Sequence, residues 1–343
     1  MKKKKSWQKY SIGGTSLLVE EILNICRKEN LRKVFIQVPE GLSQYAHRIS
    51  SELIQHGITA IVSIDPCYGA CDIPYWKAEI LKCDAIIHVG HTKLGDVDVP
   101  IKTYYLPIKK EIFNIEALDV LSEILLQRGY KKIGLVTIAQ FLDLLPKISE
   151  YINKKGFETY IGKPTRRVVE KGQILGCNVS SARNIVKHVD AYVYYGDGIF
   201  HPIVVYMATK KPVFVVNPYT GEVKDVSEDG ERVIKARILS MAKAKEAKRF
   251  AIVISTKIGQ YRKTLLDTVV DFLKKYNREY SIIQMENIDP EVINHIKGVD
   301  AFVVLACPRI VYDDYRRFKK PVLTASELIE SLKGTYNWRF EEL

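Results

Sequence analysis

The residues of this sequence best suited to chemistry are its six cysteines, which are scattered along a chain of 343 residues: Cys26, Cys67, Cys71, Cys83, Cys177 and Cys307. Secreted disulfide scaffolds are short and carry closely spaced cysteines, so this pattern argues against a disulfide framework. Three roles remain open for each cysteine, namely a buried apolar residue, a reactive thiol or a metal ligand. Their positions relative to the predicted strands help to choose among these roles.

The sequence repeats itself three times. The pair Asp-Ala followed by an apolar run begins at Asp84, Asp190 and Asp300, and so recurs after 106 and 110 residues (84 to 190, 190 to 300). Each copy is followed by a proline and a second apolar run, at Pro100, Pro212 and Pro321. Each is also preceded by basic residues and a strand-like segment: LRKVFIQVP, YKKIGLVTI and AKRFAIVIS. Three matching contexts at similar periods indicate three related units.

The apolar runs are short, near-continuous and rich in β-branched residues, which is typical of parallel strands buried on both faces. Amphipathic segments alternate with them, at 44–55, 115–128, 141–154 and 263–276. This alternation predicts three similar α/β domains with parallel sheets, at residues 1–110, 111–224 and 225–343. The charged segment 221–248 is predicted to connect the last two domains and to contain a helix.

Two cysteines occupy equivalent places in the repeat. Cys71 and Cys177 each lie 13 residues before the Asp of their own unit, and each follows a turn that contains glycine. In the third unit that place holds Asn287, and the cysteine is Cys307, seven residues after Asp300. The same offset of seven gives His91 and Asp197 in the first two units. These are strand-end loop positions, where ligands collect in open α/β sheets, and a pseudo-threefold arrangement would bring them together.

Three thiolates from three domains suit a [4Fe–4S] cluster with one iron left open, because a closed cluster normally takes four cysteines. A zinc ion held by the three thiolates and His91 or water is the competing metal site. Three buried, inert cysteines are the third possibility. Cys67 forms a CxxxC pair with Cys71 and is either a further ligand or a spare thiol. Cys26 and Cys83 fall in predicted helix and strand contexts and are expected in the core.

The composition is that of a globular protein, with 47% hydrophobic and 27% charged residues and a net charge of +12. The charge fits an anionic partner, and equally a lysine-rich solvated surface. Part of it comes from Lys2–Lys5, predicted to be a solvated tail. No apolar run is long enough to cross a membrane, and no apolar signal core follows the basic start. We therefore expect a soluble, cytoplasmic protein.

At the cysteines the sequence resembles the archaeal-type diphthamide synthases, which make 2-(3-amino-3-carboxypropyl)histidine. The resemblance rests on five irregular segments spread over nearly the whole chain: DPCYGAC (65–71), GQILGC (172–177), the HP…ATKKPVFVVNPYTGE stretch (201–222), STKIGQYR (255–262) and ACPRIVYDDY…FKKPVLTASEL (306–328). It implies three α/β domains around a central [4Fe–4S] cluster, with Cys71, Cys177 and Cys307 as ligands. A residue that departs from the family pattern is Cys67, where many relatives carry threonine.

The resemblance also implies an activity. S-adenosylmethionine would bind the open iron, and an electron from the cluster would break a carbon–sulfur bond. The resulting 3-amino-3-carboxypropyl radical would add to C2 of a histidine of elongation factor 2. This chemistry would be a noncanonical form of radical S-adenosylmethionine catalysis, since the CxxxCxxC motif is missing. A homodimer and an external electron donor are expected, with no membrane and no direct nucleic acid required.

Five further residues are weaker candidates near the site. Gln260, Arg262 and Asp197 are candidate cofactor-binding residues, with Arg262 either pairing with the cofactor carboxylate or forming a surface salt bridge. His91 and His201 are candidates for a supporting or base role, or else structural histidines. Asp197 would orient the cofactor amine or serve only as a turn residue.

Other functions remain open at this point. A quinolinate-synthase-like dehydratase also combines three similar domains, three cysteines and an open cluster iron, and cleavage of S-adenosylmethionine would distinguish the two enzymes. A partner subunit whose cluster only delivers electrons would be inactive alone. A basic RNA-binding scaffold is a fourth alternative, although no aromatic RNA-recognition motif is visible.

Overall fold

The computed structural model describes residues 15–343, so the predicted tail Lys2–Lys5 lies outside the described residues. The first sheet is entirely parallel and has the order β2-β1-β3-β4. Its strands are β1 (Lys33–Gln37), β2 (Thr59–Ser63), β3 (Ala85–Val89) and β4 (Thr103–Leu106). The helices of this part are α1 (Thr15–Glu29), α2 (Ala46–Gln55) and α3 (Tyr75–Ile80), with a 3-10 helix at Glu40–Tyr45.

The second sheet repeats this order and adds one antiparallel edge strand, as β6-β5-β7-β8-β9. Its strands are β5 (Lys132–Thr137), β6 (Glu158–Tyr160), β7 (Ala191–Tyr195), β8 (Val213–Val216) and β9 (Val223–Asp225). The helices are α4 (Ile115–Gln127), α5 (Leu145–Lys154), α6 (Ser180–Arg183) and α7 (Phe200–Thr209), with a 3-10 helix at Ala139–Leu144. Helix α5 begins later than the periodicity predicts. Pro146, which lacks a backbone N–H, lies in its first turn, where no such donor is needed.

The third sheet has the same order again, β11-β10-β12-β13, and is entirely parallel. Its strands are β10 (Arg249–Ile254), β11 (Glu279–Gln284), β12 (Ala301–Leu305) and β13 (Val322–Leu323). The helices are α8 (Ser227–Lys245), α9 (Lys263–Lys275), α10 (Pro290–Ile293), α11 (Arg309–Asp313) and α12 (Ala325–Lys333), with a 3-10 helix at Tyr315–Arg317. Three sheets dominated by parallel strands confirm the predicted α/β class.

The described chain forms two compact units. One ends at Phe113 and also includes Ile138–Leu144, and the other contains Asn114–Thr137 and Leu145–Leu343. The second unit therefore holds two of the three sheets, while the predicted boundaries near 110 and 224 remain a prediction. None of the helices in residues 15–343 is both long and apolar enough to cross a membrane.

Helix α8, from the charged segment predicted to connect two domains, packs against both α7 and α12 of the second unit. Gly230 allows the first contact, because a Cβ there would lie 2.4 Å from Cδ1 of Tyr206. The second contact includes the fully buried Arg237, whose Nη2 lies 2.6 Å from Oε2 of Glu327. Removing one partner of such a buried pair would leave an uncompensated buried charge, so a substitution of either residue would be strongly destabilising.

The repeated aspartates make the same contact in all three sheets. Each accepts hydrogen bonds from two consecutive backbone N–H groups at the start of the first strand. The donors are Arg32 and Lys33 for Asp84 (2.7 and 2.8 Å), Lys131 and Lys132 for Asp190 (2.9 and 2.8 Å), and Lys248 and Arg249 for Asp300 (3.1 and 2.9 Å). We call this contact the aspartate clamp.

The clamp in the third sheet predicts a dependence of stability on pH. The Arg249 guanidinium, with the two backbone donors, lowers the pKa of Asp300 to about 2. A carboxyl whose pKa falls on folding stabilises the protein above its ordinary pKa of about 3.9, and that contribution disappears as pH falls through the folded value. We expect Asp300→Asn to cost about 1 kcal/mol at pH 7, since the site is partly exposed.

The measurement is the urea midpoint of wild type and Asp300→Asn between pH 7 and pH 3. The difference should stay constant down to about pH 4 and then narrow. Asp271→Asn, which changes an exposed carboxylate of α9, is the control and should track wild type throughout. A constant difference down to pH 3 would contradict the assigned role of the carboxylate charge.

Candidate functional site

Cys67 and Cys71 lie in the loop that follows β2 in the first unit. The loop is tied to the sheet because Nε2 of Gln37 donates to the carbonyl oxygen of Asp72 over 2.7 Å. Gly69 has a φ of 154°, and a Cβ added to it would lie 3.8 Å from the Cys71 sulfur. Glycine is the residue that adopts this backbone without strain. The thiol of Cys71 is thus presented at the carboxyl end of the first sheet.

Cys177 lies in a tight turn of the second unit. The backbone N–H of Leu175 donates to the Asn178 carbonyl over 2.8 Å, and the reverse bond measures 3.2 Å. Just before this turn, two hydrogen bonds of 2.9 Å join the chain to Thr137, the last residue of β5. The Thr137 N–H donates to the Gly172 carbonyl, and the Ile174 N–H donates to the Thr137 carbonyl. The turn is therefore anchored to the carboxyl end of the second sheet, and the Cys177 side chain is 8% exposed.

Cys307 follows β12 by two residues and precedes α11. A single aromatic ring connects its surroundings to those of Cys177. A Cβ on Gly176 would lie 2.4 Å from Cε1 of Phe200, so the glycine packs directly on this ring. The guanidinium carbon of Arg309 lies 4.4 Å from the centroid of the same ring. Within the second unit, the structure thus brings the segments next to Cys177 and Cys307 together.

The third sheet carries Asn287 where the first two have cysteine, and this side chain has its own partner. Its Oδ1 accepts a hydrogen bond from Nζ of Lys257 over 2.7 Å. Lys257 belongs to the STKIGQYR segment, which follows β10. An amide thus takes the place of the thiol in this domain and ties two strand-end loops to each other.

The last residues of the chain contact the Cys177 turn, which sequence reasoning missed. The N–H of Leu343 donates to the Cys177 carbonyl over 2.9 Å, and Nδ2 of Asn178 donates to the Leu343 carbonyl over 3.0 Å. Glu342 accepts from the N–H of Val179 over 3.0 Å. No periodic pattern marks residues 338–343, so the sequence carried no signal for these contacts.

His91 pairs with a second histidine that the sequence analysis did not single out. Nε2 of His88 lies 3.1 Å from Nδ1 of His91, and the rings stack with centroids 5.1 Å apart. Burial lowers the pKa of His88 to about 3 and also lowers that of His91, so both rings are neutral near pH 7. The missed signal was a polar residue inside the otherwise apolar run of β3.

His201 and Asp197 lie at the carboxyl end of β7. The His201 ring stacks on Tyr194 at 6.3 Å, and burial, aided by Arg309, lowers its pKa to about 4. Asp197 is exposed in a turn between Gly196 and Gly198, and its carbonyl accepts from the Tyr194 hydroxyl over 3.1 Å. His201 is therefore neutral near pH 7, whereas the Asp197 carboxylate faces solvent.

Gln260 and Arg262 lie in the loop after β10. Gln260 is 5% exposed, and its N–H donates to the Lys257 carbonyl over 2.9 Å. The Arg262 guanidinium forms an ion pair with Glu341 at 2.9 Å, in the same terminal segment that contacts Cys177. A salt bridge was one of the two roles left open for Arg262, and its cofactor role stays a prediction.

The site residues present thiols, neutral imidazoles and glycine turns at the carboxyl ends of parallel sheets, which is where α/β proteins bind ligands. Thiolates are the donors that suit iron–sulfur clusters and zinc. The fold and the donor set define a three-sheet α/β protein equipped for such a ligand.

The comparisons with known proteins identify the family. Residues 38–343 match the family described as "Putative diphthamide synthesis protein", and the chain belongs to this family. It is 34% identical to the 2-(3-amino-3-carboxypropyl)histidine synthase of Pyrococcus horikoshii, over 94% of this chain and 92% of that protein. It is 31% identical to the synthase of the same name from Methanocaldococcus jannaschii, over 96% and 92% of the two chains.

Two further comparisons concern a eukaryotic relative and a solved structure. Subunit 1 of the Schizosaccharomyces pombe synthase is 30% identical, over 88% of this chain and 70% of that protein. The crystal structure of Dph2 from Pyrococcus horikoshii with a 4Fe–4S cluster matches with a TM-score of 0.86 and 33% identity, covering 94% of this chain and 93% of that one.

The contact between Gly176 and Phe200 can be tested with one methyl group. We expect Gly176→Ala to cost about 1–3 kcal/mol, because the added Cβ overpacks the ring and displaces the turn. Two quantities test this expectation. The urea midpoint should fall, and the alkylation rate of Cys177 should rise. Gly41→Ala is the control, since a Cβ there meets nothing within 4 Å and the backbone is unstrained. An unchanged midpoint in Gly176→Ala would refute the tight contact.

Proposed function

We propose that this protein transfers the 3-amino-3-carboxypropyl group of S-adenosylmethionine to C2 of a histidine of elongation factor 2, the first step of diphthamide biosynthesis. One observation is the main support for the proposal. A cysteine stands at a strand-end position in each of three sheets, in a chain that is 34% identical over nearly its whole length to a protein named for this product.

The residues proposed to hold a [4Fe–4S] cluster are Cys71, Cys177 and Cys307, one in each predicted domain. The donor set fits the group, because cluster irons take thiolates and three thiolates leave one iron open. The surroundings also fit, since Gly69 and Gly176 place no side chain beside Cys71 and Cys177. The related Pyrococcus structure contains a 4Fe–4S cluster, which supports the kind of group proposed here. When bound, such a cluster supplies the electron that cleaves the sulfonium of S-adenosylmethionine.

The protein's own contribution is position and electrostatics. The proposed cofactor-binding residues are Gln260, Arg262 and Asp197, and Arg262 is held by Glu341 rather than free to reorient. His91 and His201 are proposed as supporting groups. Because burial keeps both imidazoles neutral near pH 7, neither adds positive charge to the site, and each ring can offer one hydrogen-bond donor and one acceptor nitrogen.

The proposal extends to assembly and partners. We propose a cytoplasmic homodimer with elongation factor 2 as protein substrate and an external electron donor. No membrane and no nucleic acid are needed for this reaction. The domains proposed to supply one ligand each are residues 1–110, 111–224 and 225–343.

A second candidate function is that of a partner subunit that delivers electrons but does not catalyse. One observation favours it, because several of the relatives are named as subunit 1 of a synthase. The two functions differ in a simple way, since only the catalyst acts on S-adenosylmethionine without a second protein. A quinolinate-synthase-like dehydratase would not cleave this cofactor at all.

The test uses the full chain, purified without oxygen and reconstituted with iron and sulfide. It is then given dithionite, elongation factor 2 and S-adenosylmethionine labelled in the methionine carbons. We expect label on elongation factor 2, and its loss in Cys71→Ala, Cys177→Ala and Cys307→Ala, because each variant removes one proposed ligand. Cys83→Ala is the matched control, as this cysteine is buried in the core and lies outside the proposed set.

Three results would separate the alternatives. A reconstituted cluster without cleavage of S-adenosylmethionine would contradict the proposed transferase and favour the electron-delivering subunit or the dehydratase. Full labelling in all three alanine variants would contradict the ligand assignment alone. Failure of the chain to take up iron and sulfide would contradict the cluster itself.

A further inference from the structure

The first unit contains a second set of metal-binding donors that does not include Cys71. Ligand atoms of Cys67, His88 and His91 all lie within 4.8 Å of one another. They come from two strands that flank β1, since Cys67 follows β2 while His88 and His91 lie at and just after the end of β3. The whole set belongs to one compact unit.

A chain of hydrogen bonds fixes which nitrogen of His88 faces this set. Nε2 of Gln37 donates to the Asp72 carbonyl over 2.7 Å, so the amide oxygen of Gln37 points the other way. That oxygen lies 2.8 Å from Nδ1 of His88 and accepts a hydrogen bond from it. Nε2 of His88 is therefore the unprotonated nitrogen, and its lone pair points toward His91 and Cys67.

The pairing of the two strands holds this chain in place. Gln37 and His88 are direct partners in the register of β1 and β3, so their side chains emerge side by side on one face of the sheet. Both side chains are buried, at 2% and 0% exposure. A buried histidine whose second nitrogen bonds to an amide or carboxylate oxygen is the usual arrangement of a metal-ligating imidazole.

We propose that Cys67, His88 and His91 bind one divalent cation of the zinc class, with a fourth position left to water. One thiolate and two imidazoles are the donors that such an ion prefers, in a tetrahedral site. The separation of 3.1 Å between the two histidine nitrogens is close to that of two ligands on a shared ion. A hydrogen bond between the two histidines would explain the distance of 3.1 Å, but it would not explain why the Cys67 thiol lies beside both rings.

The inference does not depend on the proposed function. The three donors do not include Cys71, Cys177 or Cys307, and the ion would bind whether or not the chain carries a cluster. His91 is the one residue shared with the proposed function, in which it is a supporting group. Gln37 is a positioning residue in this account, because it orients His88 without touching the ion.

The test removes competing thiolates first. In the full-length triple variant Cys71→Ser, Cys177→Ser and Cys307→Ser, kept reduced and free of oxygen, Co²⁺ serves as the probe. We expect one equivalent to bind, with a thiolate-to-cobalt charge-transfer band and the visible bands of a tetrahedral ion, and we expect Zn²⁺ to displace it. Substoichiometric binding, or an octahedral spectrum without the charge-transfer band, would overturn the proposal.

Variants on this background assign the donors. Cys67→Ser should abolish the charge-transfer band, and His91→Asn should weaken Co²⁺ binding at least ~10-fold. Gln37→Leu leaves every donor in place and should weaken binding about 10–100-fold by releasing His88. His295→Asn and Cys83→Ala are controls and should leave the titration unchanged. A charge-transfer band that survives in Cys67→Ser would refute the site.

A second measurement covers the case in which the triple variant does not fold. The unsubstituted chain is loaded with one and then two equivalents of Zn²⁺ and measured by X-ray absorption at the zinc edge after each addition, because Cys71, Cys177 and Cys307 compete for the first ion. One of the two ions is expected to have a shell of one sulfur and two imidazole nitrogens. Absence of that shell at both one and two equivalents would overturn the proposal.

Discussion

The aspartate clamp is the contact on which the strand-end geometry of all three sheets depends. In each sheet it joins the start of one central strand to the backbone at the start of the strand beside it. The same register follows every time, with Val34 opposite Ala85, Ile133 opposite Ala191 and Phe250 opposite Ala301. A slip of one residue would turn every side chain to the other face. With the amino ends aligned, strands of similar length must also end at one level, and the site residues follow those ends.

Much of the fold could be predicted because the sequence pattern is local. Buried parallel strands show as apolar runs, and β3, β7 and β12 are buried at every position. The grouping of the last two sheets into one compact unit could not be predicted in this way. It depends on contacts such as that of Gly230 with Tyr206, which join residues of ordinary type that are distant in sequence. The contact of Leu343 with Cys177 has the same character.

The candidate site, like the fold, could be predicted only in part from the sequence. The strand-end places of Cys71, Cys177 and Cys307 could be inferred, because the carboxyl ends of parallel strands are fixed by the repeat. The ring of Phe200 between Gly176 and Arg309 could not, since nothing in three separate segments indicates that they share one contact. His88 and Gln37 were detectable in principle, as polar residues within apolar strands. They escape notice because each satisfies the other, so the strand stays buried despite them.

The three sheets offer the same two strand-end positions but fill them differently. The position before the repeated aspartate holds Cys71, Cys177 and Asn287, and the one after it holds His91, Asp197 and Cys307. Each domain thus has one cysteine and one other polar residue across the two places. In the third sheet the cysteine occupies the second position, and the first position holds Asn287, whose amide oxygen accepts a hydrogen bond from Lys257. In the first sheet the position without a cysteine holds His91, whose ring contacts His88. The contacts of the aspartate clamp lie at the amino ends of the strands, whereas these two positions lie at the carboxyl ends. A different side chain at either position therefore leaves the register of the sheet unchanged.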